Sequence, residues 1–374
     1  MQQGGVLRLA GLVISATVMH VAPASASDGE LDGRWIGGFA NRNTVVVIGA
    51  QFSGAPELVG TLDVPQRGES GIPLRDVSQR GRAMTFEVPG VESNLLFEGK
   101  FVTPTRVVGS VRQGLSQTSF ELIKLAPLTR EDMAGIYGTY EWAPGKVLLV
   151  APGQGQPVYV DYESGRTGAL FALGRDEFVA GPSVSTGFPV MIRLRMARDS
   201  AGRVQRVDFE RRGKTVQADR KEFYSEVPVR YDSADVSIAG SLLLPSTAGP
   251  HAAIVMIHGS GAVTRDALRP FADHFARNGV AVLITDKRGT GLSTGRWARA
   301  TFDDLADDAL AQAVTDRVRR RVEAVRGLDV QVAVIVQEDD QATDRPVMLG
   351  QDLQRPVQSR AKVEGARERV ADLQ

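Results

Sequence analysis

The sequence contains no cysteine, and this absence excludes disulfides, thiolate metal sites and a cysteine nucleophile. Charge of one sign is not in excess either, since 44 Lys and Arg residues balance 44 Asp and Glu residues among 374. That balance gives no indication of a nucleic-acid or anionic-membrane partner. Beyond the N-terminus no run approaches the ~20 apolar residues that a bilayer span needs. We therefore expect no stable membrane span in the mature chain.

The N-terminus has the features of an export signal. Arg8 precedes an apolar run over residues 9–19, and Ala24-Ser25-Ala26 has the small-residue form of a signal-peptidase site. The alternative is a membrane anchor, for which the run is too short. We expect residues 1–26 to be a signal peptide and the protein to be periplasmic or extracellular.

Two β-rich segments follow, predicted as all-β domains of barrel or sandwich type over residues 29–125 and 129–223. Short apolar or alternating runs separated by turn residues indicate their strands. The runs are VVVIG 45–49, LVGTLDV 58–64, AMTFEV 83–88, LLFEGKF 95–101, VVGSV 107–111, SFELIKL 119–125, KVLLV 146–150, PVYVDY 157–162, VMIRLRM 190–196 and VQRVDFE 204–210. The segments Asp32–Gly37 and Ala134–Gly138 resemble each other, which leaves an internal repeat open.

The β-rich half permits two functional interpretations. Small barrels hold apolar ligands, and a cavity here would be lined by residues such as Phe86, Phe97, Phe101 and Phe120. Those positions alternate within strands, which is equally typical of an ordinary core in a cover domain. Periplasmic ligand or partner binding through this half is therefore the alternative function.

From about residue 225 the pattern changes to α/β. Predicted elements are a strand pair or one long strand at 236–245, a buried strand at 252–261, a helix at 267–279, a buried strand at 280–289 and a helix at 302–322. The order β-β-α-β-α is the start of a doubly wound sheet. The remaining length, to residue 374, is short for a complete sheet of this type.

Two loops carry the chemistry of this unit. His258-Gly259-Ser260-Gly261 follows one predicted strand, and DKRGTGLSTG 286–295 follows the next. Together they resemble the α/β-hydrolase superfamily, in particular exported bacterial esterase-like or serine-aminopeptidase-like members with an N-terminal β-rich extension. The resemblance implies an incomplete α/β-hydrolase domain, a small ester or amide substrate, an acyl-enzyme mechanism, and no metal or organic cofactor.

The resemblance also assigns roles to residues of the two loops. Gly259, Ser260 and Gly261 would contribute to an oxyanion hole. The loop-shaping residues would be His258, Asp286, Arg288, Gly289, Gly291 and Ser293.

A catalytic triad cannot be placed on this sequence. Gly291–Gly295 fits G-x-S-x-G, but it continues a loop and does not open a helix, so we interpret Ser293 as structural. The expected order is nucleophile, acid, histidine, yet all four histidines (His20, His251, His258, His274) precede Ser293. Ser260 with His274 would be a poorly placed pair. The catalytic residues are unknown, and we expect the chain to be inactive in this chemistry.

The tail from about residue 312 is atypical. It is polar, lacks aromatic residues beyond Phe302, and contains one serine, Ser359, without flanking glycines. One hypothesis is that the natural reading frame is lost shortly after Ala311, before the nucleophile. The other is a genuine, divergent terminus.

Overall fold

The structure is a computed structural model that describes residues 30–314, apart from 42–43, 55–56, 91–93, 154, 212 and 260. The predicted signal peptide, Ser260, Ser359 and the tail beyond residue 314 lie outside the described residues. Within the described part of the chain, no helix has the length and apolarity that a bilayer span requires.

Residues 33–124 form one nine-stranded antiparallel sheet that curls into a nearly closed barrel. Inward side chains alternate with outward ones along its strands, as in β6, where every second residue is buried. The strand order is β4-β3-β2-β1-β9-β8-β7-β6-β5, so the consecutive strands β4 and β5 form the two edges. The strands are β1 Gly33–Asn41, β2 Thr44–Ser53, β3 Val59–Val64, β4 Glu69–Pro73, β5 Arg75–Arg80, β6 Ala83–Val88, β7 Leu95–Thr103, β8 Arg106–Gln113 and β9 Ser116–Lys124.

A second nine-stranded sheet follows a short helix, α1 (Arg130–Ile136), that the sequence pattern did not predict. Thr129 and Asp132 form a reciprocal capping box at its start. The strand order, β13-β12-β11-β10-β18-β17-β16-β15-β14, repeats that of the first barrel. The strands are β10 Gly138–Ala143, β11 Lys146–Ala151, β12 Val158–Asp161, β13 Arg166–Ala169, β14 Phe171–Gly174, β15 Glu177–Ala180, β16 Ile192–Arg198, β17 Val204–Arg211 and β18 Lys214–Lys221.

The first strands of the two barrels share a detail that sets their alignment. The Trp35 indole donates to the carbonyl oxygen of Leu31 at 2.7 Å, and the Tyr140 hydroxyl donates to that of Ile136 at 2.7 Å. All four residues are buried. Trp35 therefore corresponds to Tyr140, and not to Tyr137 as the sequence match placed it, so the repeat is real in topology but its register differs by three residues.

A cation from the last strand lies over each of these rings. Lys124 pairs with Trp35 across β9 and β1, with its Nζ 5.6 Å from the ring centroid. Arg220 pairs with Tyr140 across β18 and β10, with its Cζ 4.9 Å from the ring centroid. In both barrels, therefore, an aromatic residue of the first strand is covered by a cation of the last strand, which pairs with it.

The C-terminal unit has a four-stranded sheet ordered β19-β20-β22-β21, with β21 and β22 parallel and the other pairs antiparallel. The strands are β19 Tyr224–Ser233, β20 Val236–Pro245, β21 Ala253–Val255 and β22 Ala281–Thr285; the helices are α2 Arg269–Arg277 and α3 Phe302–Val314. Two predictions are corrected here. The strand predicted at 252–261 has only three residues, and the helix predicted from 267 begins with a 3₁₀ turn, Arg265–Leu268.

A buried polar cluster joins the second barrel to this unit. Asp273 of α2 is fully buried, and its Oδ1 accepts hydrogen bonds from Thr139 Oγ1 of β10 at 2.8 Å and from the Tyr224 hydroxyl at 2.9 Å. Its Oδ2 pairs with Arg277 Nε at 2.8 Å. Three donors therefore compensate the buried carboxylate.

Candidate functional site

The loops that follow β21 and β22 meet at one edge of the sheet, because parallel strands end on the same side. Lys287 Nζ donates to the Gly259 carbonyl at 3.1 Å. Thr290 Oγ1 donates to the carbonyl of Val263 at 2.9 Å, and the Lys287 amide donates to the same oxygen at 3.3 Å. Hydrogen bonds therefore hold the two loops singled out from the sequence against each other, and we refer to this arrangement as the paired-loop structure.

Asp286 is the centre of this structure. Its buried carboxylate accepts from the Arg265 amide at 2.9 Å and from the Arg265 guanidinium, with Nη2 at 2.9 Å. It also accepts from the Leu292 amide at 2.9 Å. These bonds hold the start of the helical segment and the turn of its own loop against one carboxylate. Sequence reasoning singled out Asp286 but missed Arg265, which no motif marks.

Gly289 and Gly291 are required by the backbone of the loop. Both adopt positive φ, +74° and +53°. A Cβ at Gly291 would overlap the Asp286 carboxylate, and one at Gly289 would lie 2.8 Å from the Gly295 carbonyl oxygen. Only glycine satisfies both the conformation and the space.

The Ser293 side chain is 9% exposed, and its hydroxyl forms hydrogen bonds with two backbone groups. Its hydroxyl donates to the Asp286 carbonyl at 2.8 Å and accepts from the Ala239 amide of β20 at 2.9 Å. Thr294 adds a second tie to β20, since its Oγ1 accepts from the Ser237 amide at 2.7 Å. The G-x-S-x-G segment is therefore held against strand β20 by hydrogen bonds, and it does not present Ser293 to a substrate.

Arg288 connects the loop to α3. Its guanidinium forms a bidentate pair with Asp308, both hydrogen bonds measuring 2.8 Å, and donates to the Asp304 carbonyl at 3.0 Å. Arg288 and Asp308 are both buried, so the pair is a charge-assisted tie between loop and helix. Asp308 was missed from sequence, although it lies one helical turn after Asp304.

The His258 side chain lies beside several charged residues. His258 lines a cavity of about 30 Å³ together with Asp286, Lys287, Arg288 and Asp308. Within the described residues its buried Nδ1 has no hydrogen-bond partner. Burial, and secondarily the charge of Lys287, lowers the pKa of His258 to about 4. The ring is therefore neutral at neutral pH.

The predicted oxyanion-hole residues lie directly beyond His258. Gly259 and Gly261 are half-buried, and Gly261 has a φ of +84°. Within the described part of the chain, no acceptor takes up either amide. Such amides can donate to a developing oxyanion. Ser260, between them, lies outside the described residues.

The other described histidines are engaged elsewhere. His274 lies against the second barrel, its ring 6.0 Å from that of Tyr162. The two ring nitrogens of His251 lie 3.1 Å from the carbonyl oxygens of Gly279 and Thr247. Neither is placed in the loop structure around Asp286. Among residues 30–314, as far as they are described, no cluster of acidic residues and histidines could hold a metal ion.

Comparison with known families places these loops. Residues 248–327 match the family described as serine aminopeptidase, S33. The matched segment contains both loops and continues beyond the last described residue. It supports the α/β-hydrolase resemblance and a hydrolase-type family for this part of the chain. No curated protein matches the chain.

Several solved structures are similar over parts of the chain. The α/β hydrolase GrgF from Penicillium sp. sh18 is 24% identical over 30% of this chain and 37% of its own, with a TM-score of 0.24. Acylaminoacyl peptidase from Pyrococcus horikoshii is 12% identical over 80% of this chain and 59% of its own, with a TM-score of 0.25. Oligopeptidase B from Trypanosoma brucei is 12% identical over 80% and 45%, with a TM-score of 0.24. The chain thus spans less than two thirds of these proteins, and scores this low do not establish a common overall shape.

Proposed function

We propose that this chain is a variant of a serine hydrolase that cleaves an ester or amide through an acyl-enzyme. The observation that carries the proposal is the paired-loop structure, in which Lys287 holds Gly259 beside the end of β22. Unpaired amides at a strand end are the electrostatic part of such a site. The family match over residues 248–327 supports the same lineage.

We further propose that this sequence lacks the rest of the machinery. The Ser293 hydroxyl donates one hydrogen bond to a backbone carbonyl and accepts one from a backbone amide. His258 is neutral and enclosed, and no histidine follows Ser293 in the sequence. An oxyanion hole without nucleophile, acid and base retains only a fraction of the catalysis of a triad.

Labelling with a serine-directed fluorophosphonate tests this proposal. We expect no stoichiometric labelling of the mature chain, and the same result for Ser293→Ala. Labelling lost in Ser260→Ala would identify Ser260 as a nucleophile and refute inactivity. Labelling lost in Ser293→Ala would refute the structural role of Ser293. An active serine hydrolase labelled in the same experiment serves as the positive control.

We propose that the protein is exported. The support is the n-region, apolar run and A-x-A sequence of residues 1–26, which lie outside the described residues. N-terminal sequencing of the protein recovered from the periplasm of a bacterial host should begin at Ser27. A chain that keeps residues 1–26 in the cytoplasmic or membrane fraction would contradict export.

A further inference from the structure

The first barrel has a cavity of about 840 Å³ at one end. Its deep wall is formed by six buried apolar side chains: Ile48, Leu62, Val64, Val88, Phe97 and Val111. Of the four phenylalanines considered from sequence, only Phe97 lines it. All four phenylalanines belong to the hydrophobic core of the barrel, together with the six side chains of the deep wall. The cavity therefore lies against one end of a packed core.

The corresponding end of the second barrel carries side chains of a different kind. Trp35 and Tyr140 are equivalent, so residues reached by the same ladder steps are equivalent too. Two strands across from Trp35, in β3, lies Leu62; two strands across from Tyr140, in β12, lies Asp161. An apolar wall residue of the first barrel thus corresponds to an aspartate in the second.

A second equivalence comes from the other side of the barrel. Val107 and Val207 correspond, because each pairs with the residue two positions before the cation that covers the first-strand aromatic. Four residues further along β8 and β17 stand Val111 and Arg211. A second apolar wall residue therefore corresponds to an arginine.

In the second barrel these two positions form an ion pair. Arg211 Nη2 lies 3.2 Å from Asp161 Oδ2, and the side chains are only 13% and 2% exposed. The guanidinium also pairs with Glu163 and lies 5.4 Å from the Trp142 ring centroid and 5.8 Å from that of Phe209. At this end of the second barrel a cation therefore lies among carboxylates and aromatic faces.

In the first barrel the same two positions are the aliphatic residues Leu62 and Val111, which belong to the lining of the cavity and are 2% and 3% exposed. Leu62 and Val111 offer no hydrogen bond, so water inside would lack partners on this wall. A volume of about 840 Å³ lies in the range of small-molecule pockets, roughly 300–1,000 Å³. Filling it with an aliphatic chain would remove apolar surface from water.

The edge of the cavity is polar. Arg67, Glu69 and Gln117 are exposed and line its opening. A ligand that matches both zones has an aliphatic chain and one polar end. We propose that the first barrel binds a single-chain amphiphile of the fatty-acid type, with its chain against Leu62, Phe97 and Val111 and its polar end at the opening.

Titration of the mature full-length protein with palmitate, by calorimetry and by displacement of a fluorescent fatty acid, tests this proposal. We expect one saturable site. Val111→Trp fills the cavity and should weaken binding at least tenfold. Val59→Trp places the same ring on β3 at a position that is 57% exposed and outside the lining, and should leave affinity unchanged.

Two further variants keep the test decisive. Leu95→Trp obstructs the half-buried part of the lining if Val111→Trp does not fold, as judged by circular dichroism. Leu62→Asp with Val111→Arg transfers the ion pair of the second barrel and should abolish binding. The proposal is overturned by absence of saturable binding, or by palmitate affinity that these folded variants leave unchanged.

Discussion

Replacing Asp273 with alanine should weaken the attachment of the α/β unit to the second barrel. The carboxylate is fully buried and accepts from Thr139, Tyr224 and Arg277. Thr139 belongs to β10 of the barrel, whereas Arg277 belongs to the same helix as Asp273. One side chain therefore ties two units of the chain together.

The size of the effect follows from what the substitution leaves behind. Arg277 loses its partner while its side chain is 10% exposed, and breaking a buried ion pair costs about 3–5 kcal/mol. The hydroxyls of Thr139 and Tyr224 lose their acceptor as well, so we expect a loss near the upper end of that range. Asp273→Asn retains an acceptor oxygen for the hydroxyls and should cost less.

The tryptophans of the chain can report the unfolding of each unit separately. Its three tryptophans are Trp35 in the first barrel, Trp142 in the second and Trp297 beside the β22 loop. Variants that retain one tryptophan, with phenylalanine at the other two positions, allow urea unfolding to be followed in each unit with and without Asp273→Ala. We expect the midpoints reported by Trp142 and Trp297 to fall and that of Trp35 to stay constant.

Asp307→Ala is the matched control, because Asp307 is an exposed aspartate of α3 in the same unit. The reasoning is refuted if Asp273→Ala destabilises the protein no more than this control. A fall of equal size in the Trp35 midpoint would also refute it, since the loss would then not be specific to the attachment.

Two further predictions concern the loop structure at the end of β22. Gly291→Ala should destabilise the protein by about 1–3 kcal/mol, because its Cβ overlaps the Asp286 carboxylate in an already packed site; urea unfolding measures this. For His258, the pKa is lowered to about 4 in the folded protein, against about 6.5 when unfolded. Its stabilising contribution is complete above pH 6.5 and is lost as the pH falls toward 4, so about 2 kcal/mol should disappear between pH 7 and pH 5.

For each of these two predictions, a control variant gives an outcome that would contradict it. Gly81 has nearly the same φ, +56°, with nothing within 4 Å of its Cβ position, so Gly81→Ala isolates the conformational cost. Equal losses for the two glycine variants would exclude the overlap as the cause. His258→Gln removes the titrating ring, and a variant whose stability falls with pH as steeply as the wild type would exclude His258 as the source.

Much of the secondary structure could be predicted from local pattern. The alternating run AMTFEV 83–88 became β6, which buries every second side chain, whereas the apolar run KVLLV 146–150 became part of β11, which buries consecutive residues. The helix end at Asn278-Gly279 was equally local, since Gly279 takes the positive φ that the stop signal implies. The interpretation of Ser293 rested on its neighbours in sequence, and the hydrogen bonds now supply the physical reason.

The partners in space could not be predicted in this way. Nothing near Arg288 points to Asp308 twenty residues later, and nothing near Asp273 points to Thr139 in another unit. The short match between the two barrels was misaligned by three residues, because the equivalent side chains, Trp35 and Tyr140, are chemically different. The pairing register of the β-strands, and not sequence similarity, showed that Trp35 and Tyr140 occupy equivalent positions in the two barrels.

Residue type and order alone were enough to predict two β-rich segments, an α/β unit and two glycine-containing loops in which no triad could be placed. Those properties depend on residue type, order and short-range periodicity. The ion pair of Asp161 with Arg211 in one barrel, and the placement of Leu62 and Val111 in the lining of one cavity in the other, depend on the tertiary structure. Each pair lies about fifty residues apart in sequence, and its members come to the same end of a barrel only when the sheet has curled.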